Sequence, residues 1–213
     1  MDKLTPRDDI TAQIVFIRHG ETYGNIGLPT PEGFDEEDTP LTEYGLRQAQ
    51  AIADYWFDGV EVACIYASPF TRTVQTIYPT AQKLGMSITL LPELIEVGST
   101  ICGCNTETIK KRSPLVNPCK KEKPPAPESE EQAQQRAKRF TDYIASTYKK
   151  GETVIVCTHG TFMSHLVRAA LNVNEAETFN CQVDNTSLTC VVFRNEKPLL
   201  RMANNTAHLR VIK

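Results

Sequence analysis

Continuous apolar runs alternate along this chain with stretches whose apolar residues recur every third or fourth position. The run QIVFI at 13–17 is rich in β-branched and aromatic residues and reads as a buried strand, closed by the turn-forming Gly20. A Gly- and Pro-bearing acidic loop follows over 27–38, then PLTEYGLRQAQAIADYW at 40–56. There Thr42 can cap a helix, Leu41 and Leu46 hold the positions of a hydrophobic staple, and Leu46, Ala49, Ala53 and Trp56 form a stripe expected to pack on a sheet. The plan repeats in VACIYASPFTRTVQTIYPTAQKLG. Residues 63–67 read as strand, Ser68 as cap and Pro69 as the first helical position; Pro79 either kinks the helix or starts a second one. Residues 88–91 make a further strand.

Over 98–127 no periodicity holds, and Pro114, Pro118, Pro124, Pro125 and Pro127 forbid long helices and central strands over much of the segment, so it reads as a lid, insertion or linker. A helix resumes with Ser129 and Gln132 in capping-box register, and Ala133, Ala137, Phe140, Ile144 and Tyr148 form its buried face. The opening pattern then returns in TVIVCTHGTFMSHLVRAALN, a strand over 153–157 that ends in Thr158, His159 and Gly160 before another amphipathic helix. Two strands at 188–193 and 199–203, in hairpin spacing at a sheet edge, finish the chain. Strands alternating with helices predict an α/β sandwich, read as one domain over 1–213 with 98–127 as an insertion or lid within it.

Composition narrows the function classes. With 213 residues, 40% hydrophobic and 23% charged, the chain can bury one sizeable core. A net charge of -3 argues against a nucleic-acid or membrane-surface binder that relies on an overall positive field. The start MDKLTPRDD lacks the apolar run of a signal peptide, and no stretch approaches the roughly 18–20 apolar residues of a membrane span, so a cytoplasmic location is expected. The seven cysteines are an odd number, several lie in predicted strands, and they read as free thiols; Cys102, Cys104 and Cys119 fit no common zinc spacing.

Four residues stand just after a strand or in the first turn of the helix that follows: Arg18, His19, Arg72 and His159. In an open α/β sheet that edge is where ligands bind, and adjacent parallel strands would bring the four together. Two guanidiniums suit a tetrahedral oxyanion, and helix amino ends add N–H groups, so the guest expected is a phosphate dianion. A neutral imidazole in such a cage is also a nucleophile, and the product of its attack would be a phosphohistidine. An alkoxide leaving group then requires a carboxylic acid nearby.

These residues carry a resemblance. RHGET followed by Asn25, PLTEYGLRQA, ASPFTRTVQT, Leu94-Ile95-Glu96 and THG, in this order, resemble the histidine phosphatase superfamily, which includes cofactor-dependent phosphoglycerate mutases and many phosphomonoesterases. The resemblance implies a three-layer α/β/α sandwich with a central, mostly parallel sheet flanked by helices. It further implies His19 as the phosphorylated nucleophile, Glu96 as general acid, and Arg18, Asn25, Arg72 and His159 as the clamp on the phosphoryl oxygens, with Gly160 beside them. Neither a metal nor a cofactor is implied. The Leu-x-Glu spacing selects Glu96 over Glu93, although the Gly-x-x-Glu-Gly run that often follows is replaced by VGSTICGCNTETI.

Hydrolysis and mutase chemistry share the first half-reaction. The extended YGxLxGLNK-like stretch of the mutases is missing, so the resemblance favours a phosphatase acting on a small phosphorylated metabolite, with a mutase as the alternative. A phosphate-recognition module without turnover is a third reading, against which His19 and Glu96 together speak, and a metallohydrolase built on His19 and His159 is a fourth. Lys110, Lys111, Arg112, Lys120, Lys121 and Lys123 give the insertion a local positive excess; folded over the site it would attract a second anionic group, and left in solvent it would be a flexible loop. His165 and His208 read as structural. The oligomeric state stays open, a homodimer included, and no nucleic-acid or membrane partner is expected.

Overall fold

A computed structural model describes residues 4, 9–101, 115–117, 128–148, 151–173, 181–195 and 197–212. In chain order the strands are β1 (Ile10–Arg18), β2 (Val62–Ala67), β3 (Ile88–Leu90), β4 (Val116–Asn117), β5 (Glu152–Thr158), β6 (Leu188–Arg194) and β7 (Lys197–Asn205). The helices are α1 (Glu43–Tyr55), α2 (Thr71–Leu84), α3 (Glu130–Thr147) and α4 (Gly160–Ala170). The strands form one sheet in the order β4-β3-β2-β5-β1-β6-β7, parallel from β4 to β1 and antiparallel through β6 and β7. No described helix is long and apolar enough to cross a membrane.

Alternation along the strands sorts the core into two layers. Val15, Ile17, Ile65, Ile155 and Cys157 face Ile52 and Trp56 of the first helical segment and Val74 and Ile77 of α2. Ile14, Phe16, Val154 and Val156 face Phe140 and Ile144 of α3 and Phe162, Met163 and Leu166 of α4. With both faces covered, β1 and β5 have no polar face, which is why they read as continuous apolar runs. The expected three-layer sandwich is what the chain forms.

Local signals were decisive in some places and overridden in others. Thr42 caps α1 by accepting from Gly45 N at 3.0 Å, and Ser129 and Gln132 form the expected capping box of α3. Leu46 does not join the α1 stripe: it is 47% exposed, and Ala49, Ile52 and Ala53 make the contact instead. Ser68 does not cap α2. That helix starts at Thr71, and its first N–H donates to Asp38 Oδ1 at 2.7 Å, so a carboxylate from the β1–α1 loop takes the capping role. Pro79 lies inside α2 without ending it. Within the Pro-rich segment, Val116–Asn117 adds a two-residue strand at the sheet edge, where a nearby proline does least harm. Cys102, Cys104, Cys119 and the basic residues at 110–112 and 120–123 lie outside the described residues. Cys64, Cys157, Cys181 and Cys190 are free thiols.

The register fixes the position of the site. Arg18 on β1 pairs with Thr158 on β5, and Ala67 on β2 pairs with Cys157, so the three strands end level with one another. Residues 19, 68 and 159 therefore leave the sheet side by side. The turn after β1 is pressed against α1, since a Cβ built on Gly45 would lie 2.1 Å from Glu21 O. Gly45→Ala must part the helix from that turn and is expected to cost about 1–3 kcal/mol in urea denaturation.

At the far end of the chain, the 3-10 turn Ala207–Val211 packs on α1 and buries His208 completely. Trp56 Nε1 donates to His208 Nδ1 at 3.0 Å, so the ring proton sits on Nε2 and is donated to Thr186 Oγ1 at 3.1 Å. Burial pushes the His208 pKa down from 6.5 to about 4. The unfolded chain binds this proton between those values and the folded chain does not. Stability is therefore expected to fall as pH drops from 6.5 to about 4, with a slope of up to about 1.4 kcal/mol per pH unit for each such histidine. Urea titrations across that range should show a shallower slope for His208→Gln.

Candidate active site

His19 follows β1 and is 5% exposed. Its Nδ1 lies 2.8 Å from Gly20 O, and a carbonyl can only accept, so Nδ1 carries the ring proton and Nε2 keeps its lone pair. Burial, then Arg72 and Arg18, push the His19 pKa well below 6.5, while the Gly20 carbonyl opposes them. The ring is neutral, fixed in tautomer and nucleophilic at Nε2.

The backbone around it is equally constrained. Gly20 N donates to Thr76 Oγ1 at 2.8 Å, and that hydroxyl donates to Arg72 O at 2.6 Å, tying the turn after β1 to α2. Asn185 Nδ2 donates to His19 O at 3.1 Å and to Asn25 Oδ1 at 3.0 Å. Thr186 N is shared between Arg18 O and His19 O, at 3.1 and 3.2 Å. Thr186 achieves this with a φ of 58°, a left-handed conformation that costs a β-branched residue of order 1–3 kcal/mol.

His159 sits at the equivalent place after β5, with its ring centroid 5.4 Å from that of His19. Arg72 Nε donates to its Nδ1 at 3.3 Å, which leaves the proton on Nε2 for Ser68 Oγ at 2.8 Å. Burial, then Arg72, His19 and Arg18, hold this imidazole neutral as well. Both ring nitrogens are thus engaged, and what His159 orients in this arrangement is Arg72. The guanidinium of Arg72 also lies 4.3 Å over the Phe70 ring and donates to Glu37 O at 3.3 Å.

Arg18 reaches from the end of β1 to Val183 O, with Nη1 at 2.6 Å. Its Nε is buried and meets no hydrogen-bond partner among the described residues. Gly160 supplies room for it, a Cβ there falling 3.4 Å from Nε. At the amino end of α4, two of the N–H groups expected to face an anion are taken within the protein: Thr161 N and Phe162 N donate to Glu96 Oε2 and Oε1, at 3.1 and 2.8 Å. Oε1 also accepts from Val97 N at 2.9 Å, so Oε2 is the oxygen with spare capacity. Arg18 and Glu96 share the wall of a cleft of about 440 Å³ whose other sides include Thr161, Ser164, His165 and Arg168.

All the residues expected from the sequence thus gather at the carboxyl edge of the sheet: Arg18, His19, Asn25, Arg72, Glu96, His159 and Gly160. Ser68, Thr76, Asn185 and Thr186, which hold them, were not anticipated. Nor was the surrounding of His165, which lies 3.0 Å from Glu130 Oε2 and contacts Gln134 and Arg168 through Nδ1. Among the described residues no group of three or more His, Cys, Asp or Glu could hold a metal ion.

The bifunctional protein Rv2228c of Mycobacterium tuberculosis is 26% identical over 204 residues, covering 92% of this chain and 55% of that protein. This chain therefore spans about half the length of such curated relatives. A probable phosphoglycerate mutase GpmB of Yersinia pestis is 25% identical over 209 residues, covering 92% of this chain and 94% of that one. In structure, the ecdysone phosphate phosphatase of Bombix mori, solved with tungstate, superposes with a TM-score of 0.70 at 20% identity, covering 91% of this chain and 96% of that one. That likeness establishes a shared fold. The sequence profile of the histidine phosphatase superfamily, branch 1, matches residues 14–206, nearly the whole span from the first strand to the last, and the chain belongs to that superfamily.

Proposed function

We propose that this protein is a phosphomonoesterase that works through a phosphohistidine on His19 and needs no metal. The observation that carries the reading is the state of the His19 ring, with its proton on Nδ1 toward Gly20 O, its Nε2 lone pair available, and its charge held at zero beside two guanidiniums. A buried neutral imidazole flanked by cations is set to attack a phosphoryl group, because the cations offset the charge that builds on the phosphoryl oxygens.

In the first step His19 Nε2 forms a bond to phosphorus as the bond to the substrate oxygen breaks. Arg18 and Arg72 bind the phosphoryl oxygens, the Nε–H of Arg18, without a partner among the described residues, being one donor, and Asn25, its Oδ1 already engaged, can add its Nδ2. His159 positions Arg72. Glu96, protonated on Oε2, delivers its proton to the departing alkoxide. In the second step the Glu96 carboxylate takes a proton from water, water oxygen displaces His19 from phosphorus, and phosphate leaves.

The leaving group would lie in the cleft that Glu96 and Arg18 wall, among Thr161, Ser164, His165, Arg168 and Glu130. Such a lining suits a small polar metabolite better than an apolar one. A phosphatase is preferred to a mutase because no mutase-like stretch follows Glu96; the GpmB relative is the reason to test the mutase alternative directly.

The test is phosphate release, in chelator, from an aryl phosphate and a panel of phosphorylated metabolites. Wild type should turn over, and His19→Ala should lose at least about 10³-fold in kcat/KM, as expected for a removed nucleophile. Transfer of phosphate only to an acceptor hydroxyl would favour the mutase. Tight binding of a phosphorylated ligand without turnover, kept by His19→Ala, would favour a recognition module. The sign of the His19 shift gives a further expectation: acidification through the ordinary histidine value of 6.5 leaves the nucleophile neutral, so kcat/KM should not fall there. A pH–rate profile on an alkyl phosphate checks it.

A further inference from the structure

The structure assigns to Arg136 a positioning role toward Glu96, an inference that rests on the reading of Glu96 as the general acid. Arg136 lies on α3 and is 2% exposed. Its Nε and Nη2 form a two-pronged ion pair with Glu128, at 2.8 and 2.5 Å. Its Nη1 donates to Glu93 O at 2.7 Å and to Ile95 O at 3.1 Å, the carbonyls on either side of Leu94. The carbonyl of Leu94 itself accepts from Thr158 Oγ1 at 2.7 Å. Three successive carbonyls immediately before Glu96 are therefore held, two by one guanidinium and one by the end of β5.

The same guanidinium also reaches the other side of the carboxylate. Its carbon lies 3.7 Å over the ring of Phe162, and Phe162 N donates to Glu96 Oε1 at 2.8 Å. Arg136 thus grips the chain that carries Glu96 and stacks on the residue that fixes one of its oxygens. Lysine could not replace it, having neither the planar fork for Glu128 nor a flat face for Phe162. A buried ion pair is poor evidence of a stability gain, since apolar residues of equal volume often serve as well. What apolar residues could not supply here is the simultaneous hold on both carbonyls.

Misplaced acid has a distinctive kinetic signature. An aryl phosphate expels a phenolate that needs little protonation, whereas an alkyl phosphate expels an alkoxide that needs it fully. The quantity to measure is kcat/KM, which ends with the transfer to His19 and excludes the later hydrolysis, where Glu96 acts as base. We expect Arg136→Lys to lose about 10²-fold on an alkyl phosphate but no more than about threefold on p-nitrophenyl phosphate. A merely structural role would reduce both substrates equally, in step with the folded fraction read by thermal melting.

Two further variants make every outcome decisive. Glu128→Gln leaves the carbonyl contacts of Arg136 in place but weakens its anchor, and should show the same selective loss at about tenfold; it carries the test if Arg136→Lys does not fold. Glu96→Gln should show the full selective loss, and adding Arg136→Lys to it should cost nothing more on the alkyl ester. If Glu96→Gln is selective while the Arg136 and Glu128 variants are not, the positioning role is overturned and the acid assignment stands. If Glu96→Gln itself is not selective, the acid assignment fails and the positioning role with it.

Discussion

Two imidazoles must stay neutral beside two guanidiniums in a space with little water, and the rest of the carboxyl edge of the sheet is built around that constraint. Burial does most of it, penalising a charge on either ring. Hydrogen bonding fixes where each proton sits, although the Gly20 carbonyl on its own favours the charged form of His19. The Gly20 carbonyl takes the Nδ1 proton of His19, and Arg72 and Ser68 force the opposite tautomer on His159. The two rings are thus chemically distinct although they occupy equivalent positions after parallel neighbouring strands. One is left with a free lone pair; the other has both nitrogens engaged.

The fixed geometry of His19 reaches far into the fold. Its carbonyl is held by Asn185 and Thr186, and Thr186 keeps an unfavourable backbone conformation in doing so. That strain persists because the Thr186 hydroxyl is itself committed, donating to Asn185 O and accepting from His208. His208 is locked in turn by Trp56 at the end of α1. A chain of directed hydrogen bonds, each donor and acceptor assigned, links the 3-10 turn Ala207–Val211 through the turn before β6 to His19. Replacing any member by an apolar residue would leave a buried partner unsatisfied.

Most strands and the polar residues grouped at their ends were legible in the sequence, but not what holds them. β1 and β5 were legible because burial on both faces turns a strand into a plain apolar run, and Arg18, His19 and His159 were conspicuous as polar residues at its end. Ser68 was misread as a cap because its local context is that of one; its hydroxyl is instead taken by His159, 91 residues away. The start of α2 shifted for the same kind of reason, its first N–H being satisfied by Asp38 from a distant loop. Leu46 had helical spacing, yet it stays exposed while Ala49, Ile52 and Ala53 make the contact. Asn185 and Arg136 act entirely through tertiary contacts, and no short motif marks them. Family resemblance supplied Glu96, which periodicity alone would have left as a carboxylate near a loop.

One four-residue segment connects these separate constraints. His159 orients Arg72, Gly160 makes room for the Arg18 guanidinium, and the N–H groups of Thr161 and Phe162 hold the two oxygens of Glu96. The segment is the junction of β5 and α4, so its position is set by the central strand on one side and by an apolar helix face on the other. His159, the Arg18 guanidinium and the Glu96 carboxylate are thereby referred to a single point rather than to three independent loops. Little freedom remains there to adapt to different substrates. On the phosphatase reading, substrate choice is exercised further out, where Ser164, His165 and Arg168 continue along the same helix and line the cleft beyond Glu96.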